Sequence, residues 1–109
     1  MDKDSLIDDW ILNKKTWVAK AKELKIPFIV FSKYMHSITP KYASDEYYWF
    51  LINRYLNVED IKLKLQQGYS RKSLSRSLNT FTFKTNYLLI NRIYSSINKK
   101  DEEIYETHI

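Results

Sequence analysis

One glycine, Gly68, and two prolines, Pro27 and Pro40, are all that 109 residues offer for sharp backbone reversals. Two-residue hairpins and phosphate-cradling loops both draw on repeated glycine, which alone takes positive φ without strain. Neither can recur here, so the chain reads as all-α: a compact multi-helix domain joined by polar turns. Cysteine is absent, which excludes disulfides, thiol nucleophiles and thiolate metal sites and suits a reducing, cytoplasmic setting. The longest apolar run, Ile26 to Phe31, is too short to span a bilayer, so no membrane partner is expected.

Apolar periodicity and capping residues place the helices. Residues 4–13 put Leu6, Ile7, Trp10 and Ile11 on one face, and residues 15–25 put Trp17, Val18, Ala21 and Leu24 on another, leaving Lys20, Lys22 and Lys25 outside. Pro27 suits the first turn of a third helix ending near Ile38. Ser44 caps a fourth, residues 44–56, whose run from Tyr47 to Ile52 is apolar all round and marks it as central. Asn57 caps a fifth, with Val58, Ile61 and Leu65 inward, which stops at Gly68.

From there the order of residues is specific. Gly68 can end a helix in the left-handed region, Ser70 can cap the next, Leu74 and Leu78 form an apolar pair four apart, and Asn79 tolerates positive φ in the following turn. The stretch VEDIKLKLQQGYSRKSLSRSLNTFTFKTNYLLINR, Val58 to Arg92, resembles the helix-turn-helix modules of bacterial regulators and resolvase-type recombinases over about a third of the chain. It departs from them in Ser75, where the family usually packs an alanine, and in a slightly longer turn through Thr82. The resemblance implies a DNA-binding unit whose third helix is the reading helix. Advancing roughly 100° per residue from Phe83 gathers Phe83, Tyr87, Ile90, Tyr94 and Ile97 into an inward stripe flanked by Leu89 and Ile93. Lys84, Thr85, Asn91 and Arg92 then fall on the outward arc as candidates for base contacts, with Arg71, Lys72 and Arg76 of the preceding helix as candidates for phosphate.

A displacement of 54 positions pairs Ile7 with Ile61, Ile11 with Leu65, Thr16 with Ser70 and Leu24 with Leu78. Residues 1–41 therefore read as a unit similar to residues 58–98, the two set around the central aromatic helix, with Ile29 to Ile38 in the reading position.

Charge follows the same division. Residues 14–41 carry seven bases and one acid, and residues 62–100 carry nine bases and no acid, whereas residues 1–13, 42–61 and 101–109 each carry four acids. A stretch of 39 residues without a carboxylate in a folded helical unit produces a positive face that a polyanion neutralises. Nucleic acid is the expected partner, DNA before RNA. The acidic segment Asp101 to Ile109 reads as a tail that competes for that face.

No catalytic constellation can be assembled: His36 and His108 are the only imidazoles, and neither has a second ligand at helical spacing. Neither an enzyme nor a bound metal or cofactor is expected. Seventeen aromatic residues, nine of them tyrosine, exceed what so small a core takes up. Tyr47, Phe50 and Tyr69 lie off the main stripes or beside a turn and are candidates for a partner interface, with a larger protein or a second copy of the chain. Small size and composition suggest a regulator or a replication accessory of a phage or other mobile element. The other expectation is a helical adaptor or inhibitor that docks its aromatic surface on a larger nucleic-acid enzyme.

Overall fold

The computed structural model describes the backbone of residues 2–107 and the side chains of residues 2–98, and every regular element among them is helical. The order is α1 (Lys3–Ile11), α2 (Trp17–Glu23), α3 (Phe28–Ile38), α4 (Asp45–Tyr55), α5 (Val58–Gln66), α6 (Arg71–Ser77) and α7 (Phe83–Thr107). The last helix continues through most of the backbone of the expected tail. Its side chains beyond residue 98, and His108 and Ile109 entirely, lie outside the described residues, and so does the competition expected of them. The chain divides into two compact units, Met1–Tyr47 and Tyr48–Ile109.

In the first unit, the Asp2 carboxylate accepts from the Asp4 amide at 3.1 Å and the Thr16 hydroxyl from the Ala19 amide at 3.1 Å, setting the starts of α1 and α2. Leu6, Ala21, Phe31 and Met35 form the core, with Trp10, Trp17, Leu24, Ile26, Tyr34 and Ile38 packed against it. Val18, expected inward, is exposed. The end of α2 needs a left-handed residue and Lys25 takes it at φ 58°; the Lys25 amide donates to the Lys22 carbonyl and the Ile26 amide to the Ala21 carbonyl, closing a Schellman turn on the core. Lys14 and Ala43 are also left-handed, so scarce glycine did not exclude such turns.

Lys20 is not outside as expected. Its ammonium lies 2.8 Å from the Asp9 carboxylate and 3.5 Å from Glu23, which Lys15 also approaches at 3.3 Å. The hydrogen bond from Lys20, then that from Asn13, holds the Asp9 carboxyl below its usual range, and the same bond to Asp9 raises Lys20. Glu23 is lowered mainly by its hydrogen bond from Lys15.

In the second unit α5 and α6 pack on α7. Asn57 caps α5 through the Asp60 amide, and Gly68, at φ 97°, ends that helix as its residues imply, with the Tyr69 amide donating to the Lys64 carbonyl at 3.0 Å. Ser70 then caps α6 through the Ser73 amide, and Leu74 and Ser75 are buried. Asn79 does not take positive φ. The chain leaves α6 through an extended Leu78 instead, and Asn86 secures the turn: its Nδ2 donates toward the carbonyls of Ser75 (3.1 Å), Leu78 (3.2 Å) and Phe81 (3.1 Å).

That arrangement rotates α7. Asn86, Leu89, Ile90 and Ile93 are buried among its described side chains, centred roughly 70° around the helix from the expected stripe. Phe83 is exposed and Tyr87 and Tyr94 are half-buried. A buried side-chain amide that serves three carbonyls outcompetes aromatic rings, which tolerate partial exposure.

The displacement of 54 reappears in local geometry. Left-handed Lys14 corresponds to Gly68, the Thr16 cap to the Ser70 cap, seven-residue α2 to seven-residue α6, and buried Ile7, Ala21 and Met35 to buried Ile61, Ser75 and Leu89.

Candidate nucleic-acid interface

The rotation of α7 determines which side chains share a surface with α6. Arg71, Lys72 and Arg76 of α6 and Lys84 of α7 are exposed, and none pairs with a carboxylate among the described residues. Rings accompany them. The Arg71 guanidinium lies 4.5 Å from the Tyr94 ring centroid and donates to the Asn91 amide oxygen at 3.0 Å, and the Arg76 guanidinium lies 5.6 Å from the Phe83 ring. Phe83 and Tyr87 are stacked, 5.8 Å apart and 12° from parallel. Tyr69, Ser70, Arg71, Lys72, Tyr87 and Tyr94 line a groove of about 380 Å³. Cation–π contacts of this kind hold flexible Arg side chains over a ring face while leaving the charge toward solvent.

The candidates for base contact separate into two sets. Lys84 and Asn91 border the aromatic face. Thr85 and Arg92 lie elsewhere on the helix: the Thr85 amide donates to the Thr82 hydroxyl at 3.3 Å, capping α7, and the half-buried Arg92 stacks on Tyr48 at 4.1 Å and donates to the Leu88 carbonyl. The Thr85 hydroxyl accepts from that of Thr82 at 3.2 Å, and the Arg92 guanidinium is engaged within its own unit.

Among the interface candidates, Tyr69 is 52% exposed and lines the groove, while Phe50 is half-buried. Tyr47 is 7% exposed, packed 6.0 Å from the Trp10 ring and 5.1 Å from that of Tyr42, so it is a core residue rather than a presented one. An all-apolar α4 run could not distinguish the two fates.

Phe83, Tyr87 and Tyr94 belong to the site and were not expected there. Their signal was Asn86, one turn before Ile90 and in line with Leu89 and Ile93: a polar residue within an aliphatic stripe, where tyrosines counted as apolar pulled the predicted stripe aside.

At the corresponding turn of the first unit, Trp10, Ile11, Lys14, Lys15, Thr16, Tyr42 and Tyr47 line a groove of about 310 Å³. The first turn of α3 differs from that of α7, for Phe28, Ile29 and Val30 are all exposed there. His36 sets its ring edge-on to Trp17 at 4.9 Å. Among the described residues no group of His, Asp or Glu could hold a metal ion, and no helix is long and apolar enough to cross a membrane. No protein-family model matches the sequence, and comparison with curated proteins and with solved structures returned no match.

Proposed function

We propose that the chain is a nucleic-acid-binding protein of helix-turn-helix type, acting in the cytoplasm as a small regulator or an accessory of DNA replication or of a mobile element, and not as an enzyme. One observation carries the reading: four exposed cations without carboxylate partners among the described residues, Arg71, Lys72, Arg76 and Lys84, share the α6–α7 surface with exposed and half-exposed rings. Arg71, Lys72 and Arg76 neutralise phosphates; Lys84 and Asn91 reach toward bases. Duplex and single strands release roughly 0.9 and 0.7 counterions per phosphate neutralised, so four cations give a log–log salt slope of about −3 to −4. Electrophoretic mobility shift across a salt series tests this. An affinity that ignores salt, or no binding at low salt, removes the reading.

A second reading, a helical adaptor docked on a larger nucleic-acid enzyme, draws on exposed Phe28, Ile29 and Val30. It predicts that partner capture survives the double change Arg71→Ala with Arg76→Ala and is lost on Ile29→Asp.

A further inference from the structure

Duplex grooves offer base edges, and the faces of paired bases are hidden by stacking. A protein that reads edges needs hydrogen-bonding side chains projecting from a helix, while one that takes an unpaired base needs ring faces with cations beside them for the flanking phosphates. The groove beside α6 is of the second kind. Three of its six lining residues are tyrosines, and Arg71 and Lys72 supply its charge. Its geometry is held from both sides. Tyr69 follows left-handed Gly68, with its amide bonded to Lys64, so its backbone is fixed at the corner of a Schellman turn. Tyr87 and Tyr94 are two turns apart on α7, and Tyr94 is kept in place under the Arg71 guanidinium. A volume of about 380 Å³ lies in the ordinary range for a small planar ligand.

The groove of the first unit forms at the same turn from different residues. Its rings are Trp10, Tyr42 and Tyr47, with centroids 5.1 to 6.5 Å apart, and its cations are Lys14 and Lys15. Tyr42 is 71% exposed, as open as a stacking partner must be. Under the 54-residue displacement Lys15 takes the place of Tyr69 and Thr16 that of Ser70. Rings next to cations thus recur at one corner of the repeated module, with Tyr42 the presented ring of the first groove and Lys15 also paired with Glu23, although the residues supplying them have changed.

We infer that each groove takes one unpaired nucleobase, with the adjoining lysines and arginine on its phosphates, so that the ligand is single-stranded nucleic acid rather than duplex. This rests on the nucleic-acid reading and narrows it.

The full chain is titrated at low salt against three end-labelled probes of equal length: oligothymidylate, the same backbone with abasic residues, and a blunt duplex. Oligothymidylate binds at least tenfold tighter than either of the others. Tyr69→Ala and Tyr42→Ala each weaken it roughly 5- to 150-fold, the span of one lost base–aromatic stack, while Tyr69→Phe and Tyr42→Phe keep the affinity. Both tyrosines are surface residues, and circular dichroism of each variant checks that the helices persist. Duplex bound as tightly as oligothymidylate, or abasic backbone bound as tightly, overturns the inference and leaves the broader reading standing. An effect confined to one tyrosine overturns the paired grooves. Failure to bind any probe overturns the nucleic-acid reading itself.

Discussion

Asn86→Asp exchanges one amide nitrogen for oxygen in a side chain that is 1% exposed. The replaced nitrogen lies 3.1 to 3.2 Å from three carbonyl oxygens, those of Ser75, Leu78 and Phe81, and the other side-chain oxygen is buried with no hydrogen-bond partner. An ionised carboxylate there faces three negative ends of dipoles and no donor. It stays neutral until the pH is well above the unfolded value of roughly 3.9, and a rise of about three pKa units is ordinary for such burial. Each unit is worth about 1.4 kcal/mol, so the ionisation penalty approaches 4 kcal/mol. The neutral acid has one proton to donate where the amide had two, which removes about 1 kcal/mol at any pH. The direction follows from a folded pKa raised above the unfolded one. Below the unfolded pKa only the hydrogen-bond loss remains; the deficit grows as pH rises and levels off above the folded pKa. Relative to wild type at the same pH, Asn86→Asp is thus expected to lose about 1.5 kcal/mol near pH 4 and about 5 kcal/mol near pH 7. Small domains hold only about 5–15 kcal/mol in total, so the neutral-pH form is close to unfolding. Urea denaturation followed by circular dichroism at both pH values measures it. Asn86→Ala, which cannot ionise, should lose about 2–4 kcal/mol without that pH dependence. An Asn86→Asp variant equally stable at both pH values would refute the assignment of Asn86 as the donor that secures the α6–α7 turn.

Gly68→Ala should lose about 1–2 kcal/mol from left-handed backbone strain alone, since an added Cβ at φ 97° meets no atom within 4 Å, and Lys25→Gly should gain about 1 kcal/mol by relieving the same strain. Thermal denaturation checks both, and a Gly68→Ala protein as stable as wild type would show the turn to be differently built. Asp9 contributes above its usual 3.8 and that contribution is lost as pH falls through its lowered pKa; acid titration of Asp9→Asn should therefore show a shallower loss of stability in that window, while the matching contribution of Lys20 is lost only as pH rises past its usual 10.5. Arg76→Ala should make the salt slope shallower by about 0.7–0.9 with little change in stability, whereas Arg92→Ala should leave the slope alone and lose about 1 kcal/mol, measured by urea denaturation, because its guanidinium is committed to Tyr48.

Helix starts were legible because a capping hydroxyl or amide is a local device: Thr16, Ser70 and Asn57 each bond an amide three residues on, whatever the rest of the chain does. Gly68 was legible for the same reason. Left-handed Lys14, Lys25 and Ala43 were not, since strain of about 1 kcal/mol per residue is tolerated when tertiary packing requires the turn, and only packing reports that. Side-chain facing in α7 failed for a related cause. Periodicity weighs each residue by its own hydropathy, and Asn86 is buried by what three carbonyls of another segment lack. The same oversight concealed the candidate site, because the rings that left the stripe are the rings that now stand beside Arg71 and Arg76.

The internal displacement was legible only as four weak pairings, and local geometry accounts for that weakness. Lys14 and Gly68 are chemically opposite residues with the same sign of φ, Thr16 and Ser70 share one hydroxyl, and Ala21 and Ser75 share little beyond small size and burial. What recurs is the demand at each position: a left-handed break, an acceptor for the following helix, and a small side chain where α2 or α6 meets its neighbour. Several residue types meet each demand, so identity fades while the turn stays in register. Exposed positions face no such demand, and there the units have separated, with Ile29 and Val30 opposite Phe83 and Lys84. The lack of a carboxylate from residue 62 to residue 100 is therefore informative in a way that the repeat is not. Folding would tolerate acids at solvent-facing sites of α6 and α7, and no turn or core position excludes them; a polyanionic ligand would exclude them.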